Sequence, residues 1–309
     1  MNYIKGVTFG FMTGNGAYAD KKSKESLLLL KKNTACDTVI LALGAMQKNA
    51  HTETVEFTGP HMPSDGELCE MIALTRELGL KVILKPLVNC KDGTWRAHIN
   101  FFDHEVPCEP KWSKWFESYT AYQLHYAELA QKTGCDMLMI GCEMVQAQRK
   151  EDHWRALVEK VRGAYGGMLT YNTDKYQEEH VAWWDALDVI SSSGYYPIND
   201  WSRQLDRIEA VVKRVGKPFF FAEAGCPSTK GSSLIPNDWT WQAELALNEQ
   251  ERYYRVMFEE CAKRKFVQGF GLWDWHSHLY EPEQALLDRG YAVYLKPAQK
   301  AIFDFYSSF

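Results

Sequence analysis

The sequence predicts an α/β fold, a single (β/α)8 TIM barrel spanning residues 1–309 as one catalytic domain. Three observations predict it. Eight short apolar runs alternate with amphipathic stretches from end to end. Most of those runs are near-continuous Val, Ile, Leu and Phe, the character of parallel strands covered on both faces. The length of 309 residues suits one barrel with insertions, and no Pro/Ser-rich linker divides it.

In order, the strands read as Tyr3–Phe9, Thr38–Leu43, Lys81–Val88, Met137–Ile140, Met168–Tyr171, Val189–Ser192, Pro218–Ala222 and Val267–Trp273. Helix signals fill the gaps. Ser64 is a good N-cap with Glu67 at the capping-box spacing, and that helix stops at Gly79. A long amphipathic stretch from Glu109 ends at Gly134. Another, from Asp200, ends at Gly216 just before Pro218. The stretch Gln242–Lys265 precedes the eighth strand, and Pro297 sits in the first turn of a closing helix. Four longer insertions, Gly44–Pro63, Asn89–Glu109, Cys226–Trp241 and Trp275–Tyr294, each follow a strand. They therefore gather on the barrel face that carries active sites. Their Trp, His, Asn, Asp and Gly content suits a polar, ring-stacking cleft.

The formal net charge of −5 is made of interspersed signs, which argues against nucleic acid or an anionic membrane as partner. No apolar run reaches the length of about 18 residues needed for a membrane span. The opening residues lack the basic-then-apolar pattern of a secretory leader, so a cytoplasmic location is expected. Eight cysteines (Cys36, Cys69, Cys90, Cys108, Cys135, Cys142, Cys226, Cys261) include no C-x-x-C pair and read as buried thiols of a reducing compartment.

The chemistry concentrates at two strand ends. Glu143 closes the fourth apolar run and Glu223 the seventh. A carboxylate there is costly to desolvate, and the core has no use for it. By strict alternation Met137, Met139, Gly141 and Glu143 share one face, and Phe219, Phe221 and Glu223 another. With those faces inward, both carboxylates crown the barrel and face each other across its mouth. Two such groups can split a glycosidic bond, one protonated as acid and the other ionised. Trp273 shares a strand face with Gly269 and Gly271, which are expected to leave space beneath it for a sugar-stacking platform. Trp275 is a second stacking candidate. Tyr195 or Tyr196 could donate a hydrogen bond to the nucleophile. Asn89 and Asn172 are candidate sugar-hydroxyl ligands, and Lys85, a charge within a strand, should point at a carboxylate or into the cleft. Asp274, His276 and His278 alternate as metal ligands sometimes do, but no matching His and Asp set exists at the other strand ends, so no metal is expected. No phosphate-binding glycine loop, dinucleotide fingerprint or serine-hydrolase elbow is present.

With "GCE" ending strand four, "AEAG" ending strand seven, "GLWDW" at strand eight and "GVTFG" at the start, the whole chain resembles glycoside hydrolase family 113. That family belongs to the clan of retaining barrel glycosidases with catalytic Glu on strands four and seven. The resemblance implies Glu143 as acid/base, Glu223 as nucleophile, β-1,4-mannan or manno-oligosaccharides as substrate, and no metal or organic cofactor. Short manno-oligosaccharides within the cell would then be likelier substrates than polymer. Most of the clan carries Asn before the acid/base, where it binds the sugar 2-hydroxyl; this chain has Cys142. Another clan activity (β-glucanase, β-xylanase or β-mannosidase) is the alternative within this class. A catalytically silent sugar-binding barrel is the alternative outside it, though such a protein would have no reason to keep both Glu.

Overall fold

The computed structural model describes residues 2–309. Eight strands close into a barrel in chain order: β1 Ile4–Phe9, β2 Thr38–Gln47, β3 Lys81–Cys90, β4 Met137–Cys142, β5 Met168–Thr173, β6 Val189–Ser193, β7 Phe219–Ala224 and β8 Val267–Trp275. Every neighbouring pair is parallel, including β8 with β1. Around it lie α1 Lys21–Thr34, α2 Asp65–Glu77, α3 Trp112–Thr133, α4 Glu151–Ala164, α5 Trp201–Val215, α6 Leu247–Ala262, the short α7 Pro282–Ala285 and α8 Pro297–Tyr306. The Ser64–Glu67 capping box forms as the spacing predicts. The helices before Gly134 and Gly216 end there in the left-handed conformation, φ 67° and 72°, which glycine adopts without penalty. Among the described residues no helix is long and apolar enough to cross a membrane, and the eight cysteines are unpaired.

One expected strand–helix unit is absent. Between β5 and β6 the chain makes two 3-10 turns, Glu178–His180 and Trp184–Ala186, where the alternation predicts a helix. Trp183 replaces the missing helix face: it stacks on Trp154 of α4 at 4.7 Å and packs on Tyr171 at 5.0 Å, covering that side of the sheet.

The core has two layers. Ile4, Ile40, Ile83, Met137, Met139, Val189, Phe220 and Ala222 fill the barrel, and a larger cluster lies between barrel and helices. This corrects the alternation read from sequence. Phe219 and Phe221 face outward, against Phe266 at 5.7 Å and Trp201 at 5.3 Å. The reason is a bulge. Ser192 pairs with Phe221 but Ser193 with Glu223, so β7 takes two steps where β6 takes one, and the parity resets. The same happens in β4, where Met139 pairs with Thr170 and Cys142 with Asn172. Gly141 consequently faces outward, where a side chain would strike the rings of Tyr171 and Trp154, and Cys142 turns into the barrel beside Ala42 and Leu87. Gly269 and Gly271 also differ from expectation. They leave no space beneath Trp273, because Ile4 and Ile40 occupy it; a side chain at either glycine would collide with them.

Candidate active site

Glu143 lies one residue beyond β4 with a left-handed backbone, φ 51°. A non-glycine residue adopts that conformation at a cost on the order of 1–3 kcal/mol, so neighbouring contacts must hold it there. Its own N–H donates to the Asn172 carbonyl at 2.7 Å, and the next N–H, of Met144, donates to the Tyr171 hydroxyl at 3.0 Å. The side chain is thereby swung over the barrel mouth, 7% exposed. Arg96 donates to Oε2 at 2.8 Å, Trp95 Nε1 donates to the same oxygen at 3.3 Å, and the Ser193 hydroxyl donates to Oε1 at 2.7 Å.

Glu223 sits within β7, 5% exposed. Lys85 Nζ and the Cys142 thiol, the latter at 3.3 Å, donate to Oε1, while the Tyr195 hydroxyl donates to Oε2 at 2.9 Å. Lys85 is fully buried and also donates to Asn172 Oδ1 at 2.8 Å; Asn172 Nδ2 in turn donates to Ser193 Oγ at 3.0 Å. The two carboxylates are thus joined by one polar chain, Glu223–Lys85–Asn172–Ser193–Glu143.

Charge follows from this wiring. Burial works against the ionised form of Glu223, but the charges of Lys85 and Arg96 and the hydrogen bonds outweigh it and hold its carboxyl below the ordinary range. Burial also opposes the charge of Lys85, yet the charge of the Glu223 carboxylate and the hydrogen bond to it keep its pKa above the ordinary value. Burial pushes the Cys142 thiol well up, so it stays a neutral S–H donor. The geometry therefore supplies one carboxylate held ionised at the top of β7, and a second facing the same mouth from β4.

The other candidates fall in different places. Trp273 is partly exposed at the mouth, its ring 4.8 Å from Phe11 and 5.8 Å from Lys85 Nζ. Tyr195 reaches Glu223; Tyr196 does not. Tyr196 is buried outside the barrel, donating to Glu178 at 2.6 Å. Trp275 is also corrected. A register shift between Val7 and Phe9 turns it outward, and its Nε1 donates to the Ser26 hydroxyl of α1 at 2.9 Å. Asn172 is fully buried with its amide spent on protein partners, so it orients Lys85 and is not free for sugar. Asn89 lies at the rim and accepts from Arg96 at 2.9 Å. Asp274, His276 and His278 do not converge: His276 faces Asp274 at 3.6 Å, while His278 turns to Asp20 at 3.1 Å.

Sequence reasoning missed Trp95, Arg96 and Ser193. Two signals were there to be read. Trp95 and Arg96 lie in an insertion already assigned to the active face, and three serines, Ser191–Ser193, end a buried strand where apolar residues would be ordinary.

Residues 7–296 match Glycoside Hydrolase Family 113. The chain belongs to glycoside hydrolase family 113. A retaining mechanism is general to this family. A solved family 113 β-1,4-mannanase is 57% identical, with all of both chains covered and a TM-score of 0.99. The family 113 β-mannanase AaManA from Alicyclobacillus acidocaldarius, in complex with ManMIm, is 38% identical over 100% of this chain and 98% of that one, with a TM-score of 0.96. A β-glucuronidase from Ruminococcus gnavus shares the barrel alone, at 14% identity and a TM-score of 0.66 over 99% of this chain and 50% of its own. No curated protein matches the chain. Family 113 membership agrees with the resemblance drawn from the strand-end motifs.

Proposed function

We propose that this family 113 glycoside hydrolase cleaves β-1,4-mannosidic bonds in mannan or manno-oligosaccharides, with Glu223 as nucleophile and Glu143 as acid/base. The observation that carries the roles is the unequal wiring of the two carboxylates: Lys85, Cys142 and Tyr195 converge on Glu223, and a nucleophile must be ionised to attack. In the first step a Glu223 oxygen bonds to the anomeric carbon as the glycosidic bond breaks, and Glu143 gives its proton to the departing oxygen. In the second, Glu143 takes a proton from water, whose oxygen displaces Glu223 from the same carbon. Two inversions keep the β configuration. The mannanase identities of the 57% and 38% identical neighbours favour mannose as the sugar.

We take residues 1–309 as one catalytic unit. In support, the ends of the chain are tied together: Lys5 donates to the Tyr306 carbonyl at 3.1 Å and the Tyr306 hydroxyl to the Gly6 carbonyl at 2.8 Å.

A reducing-sugar assay across manno-, cello- and xylo-oligosaccharides tests the substrate, with NMR of the first-formed anomer. Manno-oligosaccharides should be cleaved fastest and give the β-anomer. Faster cleavage of another series, or an α-product, rejects the reading.

Two further results are expected. Tyr195→Phe removes a hydrogen bond to the charged form of Glu223, so the acid limb of the pH–rate curve should move to higher pH. The kcat should drop roughly ten-fold or more, given about 1.5–3 kcal/mol for a hydrogen bond to a charged group. An unmoved acid limb counts against the assignment. The two tryptophans of β8 should behave oppositely. Trp273→Ala should lower kcat and kcat/KM with a small change in Tm, as loss of a sugar platform requires. Trp275→Ala should cost about 3–5 kcal/mol of stability, as for other buried large-to-small changes. Thermal melts and kinetics on both variants decide the matter.

A further inference from the structure

Outside the barrel, one fully buried carboxylate takes no part in the catalytic steps. Glu178 belongs to the first 3-10 turn between β5 and β6, where the strand–helix alternation leaves a helix out. Its Oε1 accepts from the Ser192 hydroxyl and from the Tyr196 hydroxyl, both at 2.6 Å, and its Oε2 accepts from Arg207 of α5 at 2.5 Å. Its backbone is fixed as well, since Trp184 Nε1 donates to its carbonyl at 2.8 Å. Arg207 is only partly buried and also donates to Glu179 at 3.3 Å.

The two hydroxyls that Glu178 holds flank the two residues that reach the catalytic pair. Ser192 precedes Ser193, whose hydroxyl donates to Glu143, and Tyr196 follows Tyr195, whose hydroxyl donates to Glu223. One short turn therefore sends Ser192 and Tyr196 outward to a single carboxylate, and Ser193 and Tyr195 inward to two others. Between them Gly194 donates its N–H to the Glu223 carbonyl at 2.7 Å, and a side chain there would strike Phe221 and Trp201. Tyr253 of α6 donates to the Tyr196 carbonyl at 2.8 Å. The turn is clamped from outside, and Glu178 is the charged part of the clamp. A buried ion pair adds little stability over apolar packing of the same volume. What it supplies here is direction, through charge-assisted hydrogen bonds of fixed geometry.

We propose that Glu178 is a positioning residue for the catalytic pair: from behind the sheet it fixes the Ser192–Tyr196 turn, so that Ser193 and Tyr195 meet Glu143 and Glu223. A hydrogen bond weakens steeply with distance and angle, and small displacements transmitted to a reacting group are costly in rate. Besides Tyr195, the titratable and charged groups that bear on Glu223 are Lys85, Arg96, Cys142, Glu143, Asp274 and Tyr291. Substitution of Glu178 removes none of them, so its effect must travel through the turn. The proposal rests on Glu223 being the nucleophile.

The test reads the acid limb of the kcat pH profile, with Tyr195→Phe setting the scale. In Glu178→Ala the limb should move to higher pH, as in Tyr195→Phe, because the ionised form of Glu223 loses part of its hydrogen bonding. The kcat should fall roughly two- to ten-fold, up to the loss expected when the Tyr195 bond goes altogether, with KM changed less. Tyr196→Phe keeps the ring and the Arg207 pair and should show the same change in smaller measure; it decides alone should Glu178→Ala fail to fold. In a Tyr195→Phe, Ser193→Ala background, Glu178→Ala should move the limb no further and lower kcat by less than about two-fold, since both contacts it positions are already gone. A purely structural role would lower Tm and leave the limb in place. Should Tyr195→Phe itself leave the limb unmoved, the nucleophile reading fails and this proposal with it. A limb that moves in Tyr195→Phe but stays put in both Glu178→Ala and Tyr196→Phe overturns the positioning role alone, as does an undiminished shift in the doubly substituted background.

Discussion

Glu223→Ala is expected to end turnover on every glycoside, whatever its leaving group, by roughly 10⁴-fold or more, as when other enzymes lose a covalent nucleophile. The reason is that no second group can take its place: its nearest neighbours, Lys85, Cys142 and Tyr195, are a cation, a neutral buried thiol and a phenol. The substitution also strands Lys85 in a fully buried position, and breaking a buried ion pair typically costs about 3–5 kcal/mol. Glu223→Gln, which keeps the shape and part of the hydrogen bonding, therefore serves as the paired variant. It should fold, fail to turn over and form no glycosyl-enzyme adduct by mass spectrometry. The pH dependence of stability gives a second readout. Because the folded protein holds Glu223 below its ordinary carboxylate value, the stabilisation is complete above the unfolded value of about 4.3 and fades as pH falls through the folded one. The gap in Tm between wild type and Glu223→Gln should accordingly narrow below about pH 4. Residual activity of Glu223→Gln near the wild-type level on any glycoside would remove Glu223 from the mechanism.

The strands and the two glutamates were legible because both obey strong, local signals. Buried parallel strands have a composition of their own, and an acidic residue at the end of one is conspicuous. Side-chain direction near the strand tips was not legible. Strict alternation would put Gly141 inside and Ala222 outside, whereas the bulges in β4 and β7 do the reverse while delivering Glu143 and Glu223 to the mouth. A bulge depends on pairing with the neighbouring strand, which no single run of residues displays. Trp275 failed for the same reason, since it lies two residues beyond Trp273 and only the shift against β1 sends it outward. Tyr195 and Tyr196 could not be told apart because the turn after β6 decides which one reaches Glu223. The partners of Glu143 come from loops distant in sequence, and proximity of that kind is set by closure of the barrel.

Glu143→Ala is expected to separate the two halves of the reaction. Natural mannosides need their leaving oxygen protonated, and kcat/KM on them should fall by about 10²–10⁴-fold, the usual contribution of a positioned acid or base. Aryl mannosides with strongly acidic phenols need little protonation, so their first step should be largely kept and the glycosyl-enzyme should accumulate. The substitution empties a space lined by donors alone: the Arg96 guanidinium, the Trp95 indole N–H and the Ser193 hydroxyl, all of which had been satisfied by the carboxylate. Such a pocket favours a small anion. Azide should enter it, attack the anomeric carbon that Glu223 holds, and restore turnover of the aryl substrate. Attack on that intermediate from the face left by the first leaving group gives β-mannosyl azide, distinguishable by NMR from the α-azide that would form if the anion replaced the nucleophile directly. Rescue with an α-azide product, or rescue in Glu223→Ala and none in Glu143→Ala, would exchange the two assignments. Rescue in Glu143→Ala with the β-azide ties the acid to β4 and to the Arg96–Trp95–Ser193 cradle that shapes it.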